Sequence, residues 1–218
     1  MPDGFRFEPD PERRYLVVAV NGSGKSTLVA ALAPRFRTAH NLVVILDPKR
    51  DAAMRKLAPM ASSQVKPRGG GMIRLVPQMD PTRKEAPCAE AADPWLAQVW
   101  NRGNCTLIID ELQMIATQNR FPPHLNLIYA QGRSRKISVL AITTEPVRIP
   151  MWVRSQSRTR IAGRVGEGGQ RDYVAGLLWT DKKAFAARMD ALPPYHFLLR
   201  AEEWSAQGKP AEEVWVRV

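Results

Sequence analysis

A three-layered α/β fold is predicted, a mainly parallel sheet with helices on both faces and an antiparallel strand pair at its C-terminal end. Three observations predict it. Four short runs, Tyr15–Val20, Asn41–Asp47, Cys105–Ile109 and Ile137–Thr143, are apolar almost throughout. Strands read that way when both faces of their sheet are covered, as in parallel sheets. Helical stretches separate these runs, which is the order of crossover connections. His196–Arg200 and Glu213–Val218 alternate instead, around a Gln207-Gly208-Lys209-Pro210 turn, as a closing hairpin does.

The remaining elements follow in order. Met1–Arg14 is a polar lead-in. A helix over Lys25–Phe36 ends near Pro34, and Asp51–Ala58 forms a short one. Gln64–Gly71 collects Pro67, Gly69, Gly70 and Gly71, a loop signal, before a strand at Met72–Val76. Pro77, Pro81, Pro87 and Pro94 make Gln78–Pro94 an irregular excursion. Pro94–Arg102 is then a helix with Trp95, Val99 and Trp100 inward. Further helices fall at Pro122–Gln131, Pro150–Gln156, Arg171–Trp179 and Asp181–Leu192, the last opened by an Asp cap. Thr159–Gly163 is a short strand. The 218 residues suit one domain, with an excursion at 64–94 and a C-terminal extension over 180–218.

Several classes are disfavoured. No apolar stretch approaches the roughly 18–20 residues of a membrane span. Asp3, Glu8, Asp10 and Glu12 give the N-terminus no signal-peptide character. Cys88 and Cys105 have neither metal nor redox spacing, and His40, His124 and His196 are scattered, so no metal other than Mg²⁺ is expected. The chain carries 32 Lys+Arg against 21 Asp+Glu, a net charge of +11. Arg133, Arg135, Lys136, Arg148, Arg154, Arg158, Arg160 and Arg164 fall in a stretch with one acid, Glu145. Such a stripe suits a nucleic-acid backbone or a neighbour's triphosphate, or else is a solvated face. No basic-aromatic signature accompanies it, so contacts would be to phosphates.

The residues that carry chemistry begin at Asn21-Gly22-Ser23-Gly24-Lys25-Ser26-Thr27, between the first strand and the first helix. A glycine-rich turn opening a helix lets consecutive backbone N–H groups close round a polyphosphate. Lys25 then supplies charge to the β- and γ-phosphates and Ser26 an oxygen for Mg²⁺, which predicts a nucleoside triphosphate site and a P-loop NTPase (RecA/ASCE-like) fold. The pattern asks for glycine five residues before Gly24, where this chain has Ala19, at the strand exit. Thr106-Leu107-Ile108-Ile109-Asp110-Glu111 supplies the second half of the site. An aspartate ending a core strand holds Mg²⁺ beside the loop hydroxyl, so Asp110 is assigned to the metal. Glu111 is assigned as the base that polarises water. Charge developing on the transferred phosphoryl group calls for an arginine. Arg133 or Arg135, just before the fourth core strand, is that finger, acting on an adjacent subunit, or else each contacts phosphate or is surface charge.

These pieces together resemble the FtsK–HerA superfamily of DNA-pumping ATPases, in particular its small viral genome-packaging members. The resemblance rests on Gly22–Ser26, Leu46-Asp47-Pro48-Lys49, Ile109-Asp110-Glu111, Gly132-Arg133-Ser134-Arg135, Thr143-Thr144-Glu145-Pro146, and Ile149-Pro150 with Val153-Arg154-Ser155-Gln156. Their order and spacing span roughly residues 15–165. The resemblance implies a homo-oligomeric ring round double-stranded DNA, with ATP and Mg²⁺ as cofactors. It also implies packaging into a preformed capsid in the host cytoplasm, docked on a capsid vertex protein. Glu145 stands where the family has a glutamine that senses the γ-phosphate. A carboxylate there repels phosphate unless it is protonated, Mg²⁺-linked or paired with an arginine. The competing functions are a nucleotide-switched assembly or DNA-binding ATPase without translocation, and a small-molecule kinase. The acid pair argues against the kinase by favouring water as the nucleophile.

Overall fold

The computed structural model describes residues 10, 12–37, 42–66, 68–166, 168–178 and 181–201 in full, and the backbone of 212–215. Most of the N-terminal lead-in, Pro67, Trp179, the Gln207–Pro210 turn and the final residues 216–218 lie outside them. The strands are β1 (Arg14–Val18), β2 (Leu42–Leu46), β3 (Gly71–Leu75), β4 (Cys105–Ile109), β5 (Ile137–Thr143), β6 (Thr159–Ala162), β7 (His196–Ala201) and β8 (Glu212–Trp215). They form one sheet in the order β3-β2-β4-β5-β1-β6-β7-β8. Neighbours from β3 to β6 are parallel, whereas β7 runs antiparallel to β6 and β8 to β7. The helices are α1 (Lys25–Phe36), α2 (Ala52–Leu57), α3 (Ala89–Arg102), α4 (Pro123–Gln131), α5 (Met151–Gln156), α6 (Gly169–Leu178) and α7 (Lys182–Ala191).

Alternation within each strand explains the three layers. β1 turns Leu16 and Val18 to a core shared with Leu96 and Val99 of α3, Leu125 and Ile128 of α4, Val174 of α6 and Phe185 of α7. Its other residues, Tyr15 and Val17, face a second core made with Leu28, Val29, Leu32 and Phe36 of α1 and Met54 of α2. β2 divides likewise, Leu42, Val44 and Leu46 against Val43 and Ile45. Apolar residues are therefore needed at every position, and the period-two signal disappears.

Two prolines mislead at helix boundaries. α3 begins at Ala89, five residues before the expected start, so the proline-rich excursion is correspondingly shorter. Ala89, Ala92, Leu96 and Val99 form one buried stripe, while Pro94 is exposed on the opposite side, where its ring points to solvent and the carbonyl it leaves unbonded, that of Glu90, lies on an exposed face. Trp95 and Trp100 are half-buried at the margin of that core. In α1, Pro34 is exposed and the helix continues to Phe36, which is buried edge-on against Tyr15 at 5.4 Å. Burial of an aromatic ring outweighs the lost hydrogen bond.

The strand exits of β1 and β6 are fitted to one another. Val18 pairs with Ala162, which sets Ala19 beside Gly163, and the Gly163 N–H donates to the Val18 carbonyl at 3.0 Å. A Cβ on Gly163 would lie 2.9 Å from the Ala19 Cβ and 2.9 Å from the Phe197 ring. The methyl group of Ala19 is thus accommodated by a glycine on the neighbouring strand, away from the loop that follows. Gly163→Ala is expected to destabilise the fold by about 1–3 kcal/mol through overpacking. Ala19→Gly should recover part of the loss, and calorimetric melting of the four proteins of the cycle measures the coupling.

Candidate active site

Parallel strands deliver their C-terminal ends to one edge, and the chemistry collects there. The loop from Ala19 to Gly24 turns through Gly22 (φ 77°) and Gly24 (φ 94°), conformations that a Cβ disfavours. Space beside Gly22 is open for a ligand's approach. α1 starts at Lys25 directly behind the loop, so its first N–H groups point into the cleft. Asn21, Gly22, Gly24, Lys25, Ser26 and Thr27 line a cleft of roughly 320 Å³, and Asp110 and Glu111 line it too. Ser23 alone of the expected loop residues turns away from it: its hydroxyl donates to the Val20 carbonyl at 2.7 Å. The Lys25 ammonium donates to the same carbonyl at 2.8 Å.

Of the acid pair, Glu111 is held from three sides. β5 lies between β1 and β4, which places the carboxylates two strand spacings, roughly 10 Å, from the loop strand. Glu111 adopts left-handed backbone angles (φ 49°, ψ 63°) and is 4 % exposed. Its carboxylate accepts from Lys49 Nζ at 2.6 Å, from the Thr144 hydroxyl at 3.1 Å and from the Gln113 amide. Gln113 also donates to Thr144 at 2.8 Å and accepts from Thr143 at 2.8 Å. The 3-10 turn Leu112–Met114 swings Gln113 back to meet its neighbour's carboxylate.

Lys49 and Asp51 reach the cleft on the loop after β2, and a buried ion pair anchors that loop. Asp47 accepts from Arg74 at 3.1 Å and from the Asp51 N–H at 2.8 Å. Arg74 also donates to the carbonyls of Ala58 and Pro59. Asp51 caps α2 and accepts from the Ser26 hydroxyl at 3.3 Å. Removing either member of the Asp47–Arg74 pair would leave a buried charge unpaired.

Burial, then the carboxylates of Glu111, Asp51 and Asp47, push the Asp110 carboxyl up to about 7. Burial likewise lowers the Lys25 ammonium, against the pull of Glu111 and Asp110. The lining carries three carboxyl groups (Asp51, Asp110 and Glu111) against two ammonium groups (Lys25 and Lys49), so the charges balance while Asp110 is protonated, and a polyphosphate entering alone meets a surplus of like charge once it ionises. Among the described residues no group of three or more His, Cys, Asp or Glu could itself hold a metal ion. The donors present, the Ser26 hydroxyl and the Asp110 carboxylate, are hard oxygens, which fit Mg²⁺ completed by phosphate oxygens and water.

Three expected residues stand elsewhere. Glu145 does not line the cleft; it pairs with Arg148 at 2.8 Å across the turn after β5, with its carboxylate satisfied at the surface. The side chains that reach Glu111 from the end of β5 are Thr144 and, through Gln113, Thr143. Arg133 and Arg135 precede β5, at the opposite edge of the sheet, a seven-residue strand or roughly 20 Å from the acid pair. Arg135 is tied down: it donates to the carbonyls of Trp100 at 2.7 Å and Asn101 at 2.9 Å and stacks on the Trp100 ring. Arg133 is exposed, 3.5 Å from Glu12. The basic stripe is dispersed in the same way. Arg160 donates to the carbonyls of Arg154, Ser157 and Leu177, and Arg164 to that of Leu192.

Sheet order, loop and acid pair give the fold of a P-loop NTPase. Solved structures with this fold are the genome-packaging NTPase B204 of Sulfolobus turreted icosahedral virus 2 bound to sulfate, and the B204 DNA-packaging ATPase of Sulfolobus turreted icosahedral virus. The first superposes with a TM-score of 0.68 at 14 % identity, over 96 % of this chain and 99 % of its own. The second gives 0.68 at 14 %, over 95 % and 99 %. The EccC ATPases 2 and 3 of Thermomonospora curvata give 0.61 at 12 % identity, over 94 % of this chain and 36 % of theirs. The resemblance to viral packaging ATPases is thus met in the fold. No family model matches the sequence, and no curated protein matches it.

Asp110→Asn tests the electrostatics. A folded-state carboxyl raised to about 7 from 3.8 favours folding below the lower value, and that contribution is lost as pH rises through the upper one. The variant should melt several degrees above wild type at pH 8 without Mg²⁺ and nucleotide, and close to it at pH 4.

Proposed function

We propose that this chain hydrolyses ATP with Mg²⁺ and uses the turnover to drive double-stranded DNA, as a homo-oligomeric ring, into a preformed viral capsid. The observation that carries the hydrolytic step is one cleft holding the phosphate loop, Lys25 and the buried acid pair. Its likeness in fold to viral packaging ATPases supports the choice of DNA as the load, docked on a capsid vertex protein.

The loop N–H groups and Lys25 hold the β- and γ-phosphates, and Ser26 and Asp110 hold Mg²⁺. An ion bound between Ser26 and Asp110 would supply positive charge against that developing on the transferred group. Glu111 orients a water in line with the β–γ bridge and accepts its proton as the new P–O bond forms. The bridging P–O bond breaks, leaving ADP and inorganic phosphate. Lys49 holds the Glu111 carboxylate from the β2 side, with its ammonium 2.6 Å away. Thr144 and Gln113 keep the carboxylate oriented. Arg133, exposed and remote from its own cleft, stabilises the transition state on the adjacent subunit. Arg135 braces the end of α3, and Glu145 takes no part at the γ-phosphate.

Lys25→Ala should lower ATP turnover about 10²-fold or more while leaving the melting transition in place. Turnover of the wild type should rise on adding duplex DNA, and the rise should fall steeply between 50 and 200 mM salt. DNA-independent turnover without salt-sensitive DNA binding would favour a nucleotide-switched assembly factor. Arg133→Ala should reduce turnover about 10³-fold. Mixed with Lys25→Ala subunits, it should regain activity, since each protein supplies what the other lacks; no recovery at any ratio refutes action in trans.

A further inference from the structure

We propose that Tyr195 is the platform on which the nucleobase stacks, setting the chain's preference for purine over pyrimidine nucleotides; this rests on the nucleotide-binding role proposed above. Tyr195 lies some 170 residues from the phosphate loop in sequence, yet its ring packs against Gly24 and lines the same cleft. A Cβ on Gly24 would come within 2.6 Å of the ring. The ring is the single aromatic among the described lining residues, and Tyr195 is 44 % exposed, so ring surface remains open to a ligand.

The sheet order fixes which end of a nucleotide it meets. Strands run β4-β5-β1-β6-β7 across the cleft. The acid pair stands at the end of β4, so the γ-phosphate must lie on that side of the loop for water to attack it. The nucleoside then projects toward β6 and β7, where Tyr195 immediately precedes β7. An aromatic face there has one kind of ligand surface to meet, the flat base.

The backbone supplies an independent argument. Tyr195 has φ 61°, and the His196 N–H donates to the Pro193 carbonyl at 3.2 Å. Pro194 followed by a positive φ marks a type II turn, whose third position ordinarily takes Gly or Asn. A tyrosine held in the left-handed region is retained against local preference, and such outliers gather at ligand sites. Stacking reads the area of a base rather than its hydrogen-bonding edge, so discrimination falls between purines and pyrimidines and not between adenine and guanine.

The test is calorimetric titration of the full chain with ADP, CDP and pyrophosphate in the presence of Mg²⁺. Tyr195→Gly suits the positive φ and should melt no lower than wild type; Tyr195→Asn, which also tolerates that region, serves the same comparison. Each should weaken ADP about tenfold or more, bring the ADP and CDP affinities together, and leave pyrophosphate unchanged, while Tyr195→Phe keeps the wild-type pattern. ADP affinity unaltered by the substitutions overturns the platform alone. ADP and pyrophosphate shifting together also overturns it, because the ring would then govern the phosphate loop. A wild-type protein that binds neither overturns the nucleotide reading and the platform with it.

Discussion

Parallel strands all point their C-terminal ends the same way, and the rest of this molecule follows from that constraint. The loop after β1, the acid pair after β4, the threonines after β5 and the lysine after β2 are scattered over some 125 residues of chain. They meet because each follows a parallel strand on one edge of one sheet. The same rule separates what does not belong together. Arg133 and Arg135 precede β5, so the strand itself holds them a full sheet width from the cleft. Neither arginine reaches the cleft of its own chain.

The cleft works against the stability of the fold that holds it. Asp110 is buried beside other carboxylates and pushed up to about 7, and Glu111 and Tyr195 both occupy left-handed backbone angles. Elsewhere the chain is conservative: strand residues are buried on both faces, and guanidinium groups cap carbonyls at helix ends. Unfavourable charge is thus gathered where a ligand would relieve it, whereas left-handed backbone also occurs away from the cleft, at Ala86, Asn104 and Lys136. The buried Arg74–Asp47 pair secures the loop that carries Lys49 and Asp51, so one polar core contact serves the cleft's geometry.

What the sequence made legible was whatever is local. The glycine-rich turn and the apolar run ending in two acids announce themselves within seven residues. The strands were readable because covered faces leave no polar positions. Helix starts were less so: α3 rests on a stripe that includes Ala89 and Ala92, and alanine is too small to signal a core, while Pro94 on the outer face looked like a boundary. The basic stretch suits phosphate or solvent when read from sequence; that Arg135, Arg160 and Arg164 also donate to carbonyls is an arrangement only tertiary contacts make. Analogy of position puts Glu145 at the γ-phosphate, whereas a local contact in the turn after β5 pairs it with Arg148. Tyr195 carried no signal at all, since a single aromatic after two prolines gains meaning only from the loop it touches.

The two thiols have a practical consequence. Cys88 and Cys105 are both buried, and burial pushes the Cys105 thiol up to about 12, so neither offers an accessible thiolate at neutral pH. The native chain is in effect silent toward maleimides. A cysteine introduced at Met60 or Met151, both largely exposed, would be a unique attachment point for a fluorophore or spin label. Distances between such labels would report whether copies of the chain associate and in what arrangement, with neither native cysteine first having to be replaced.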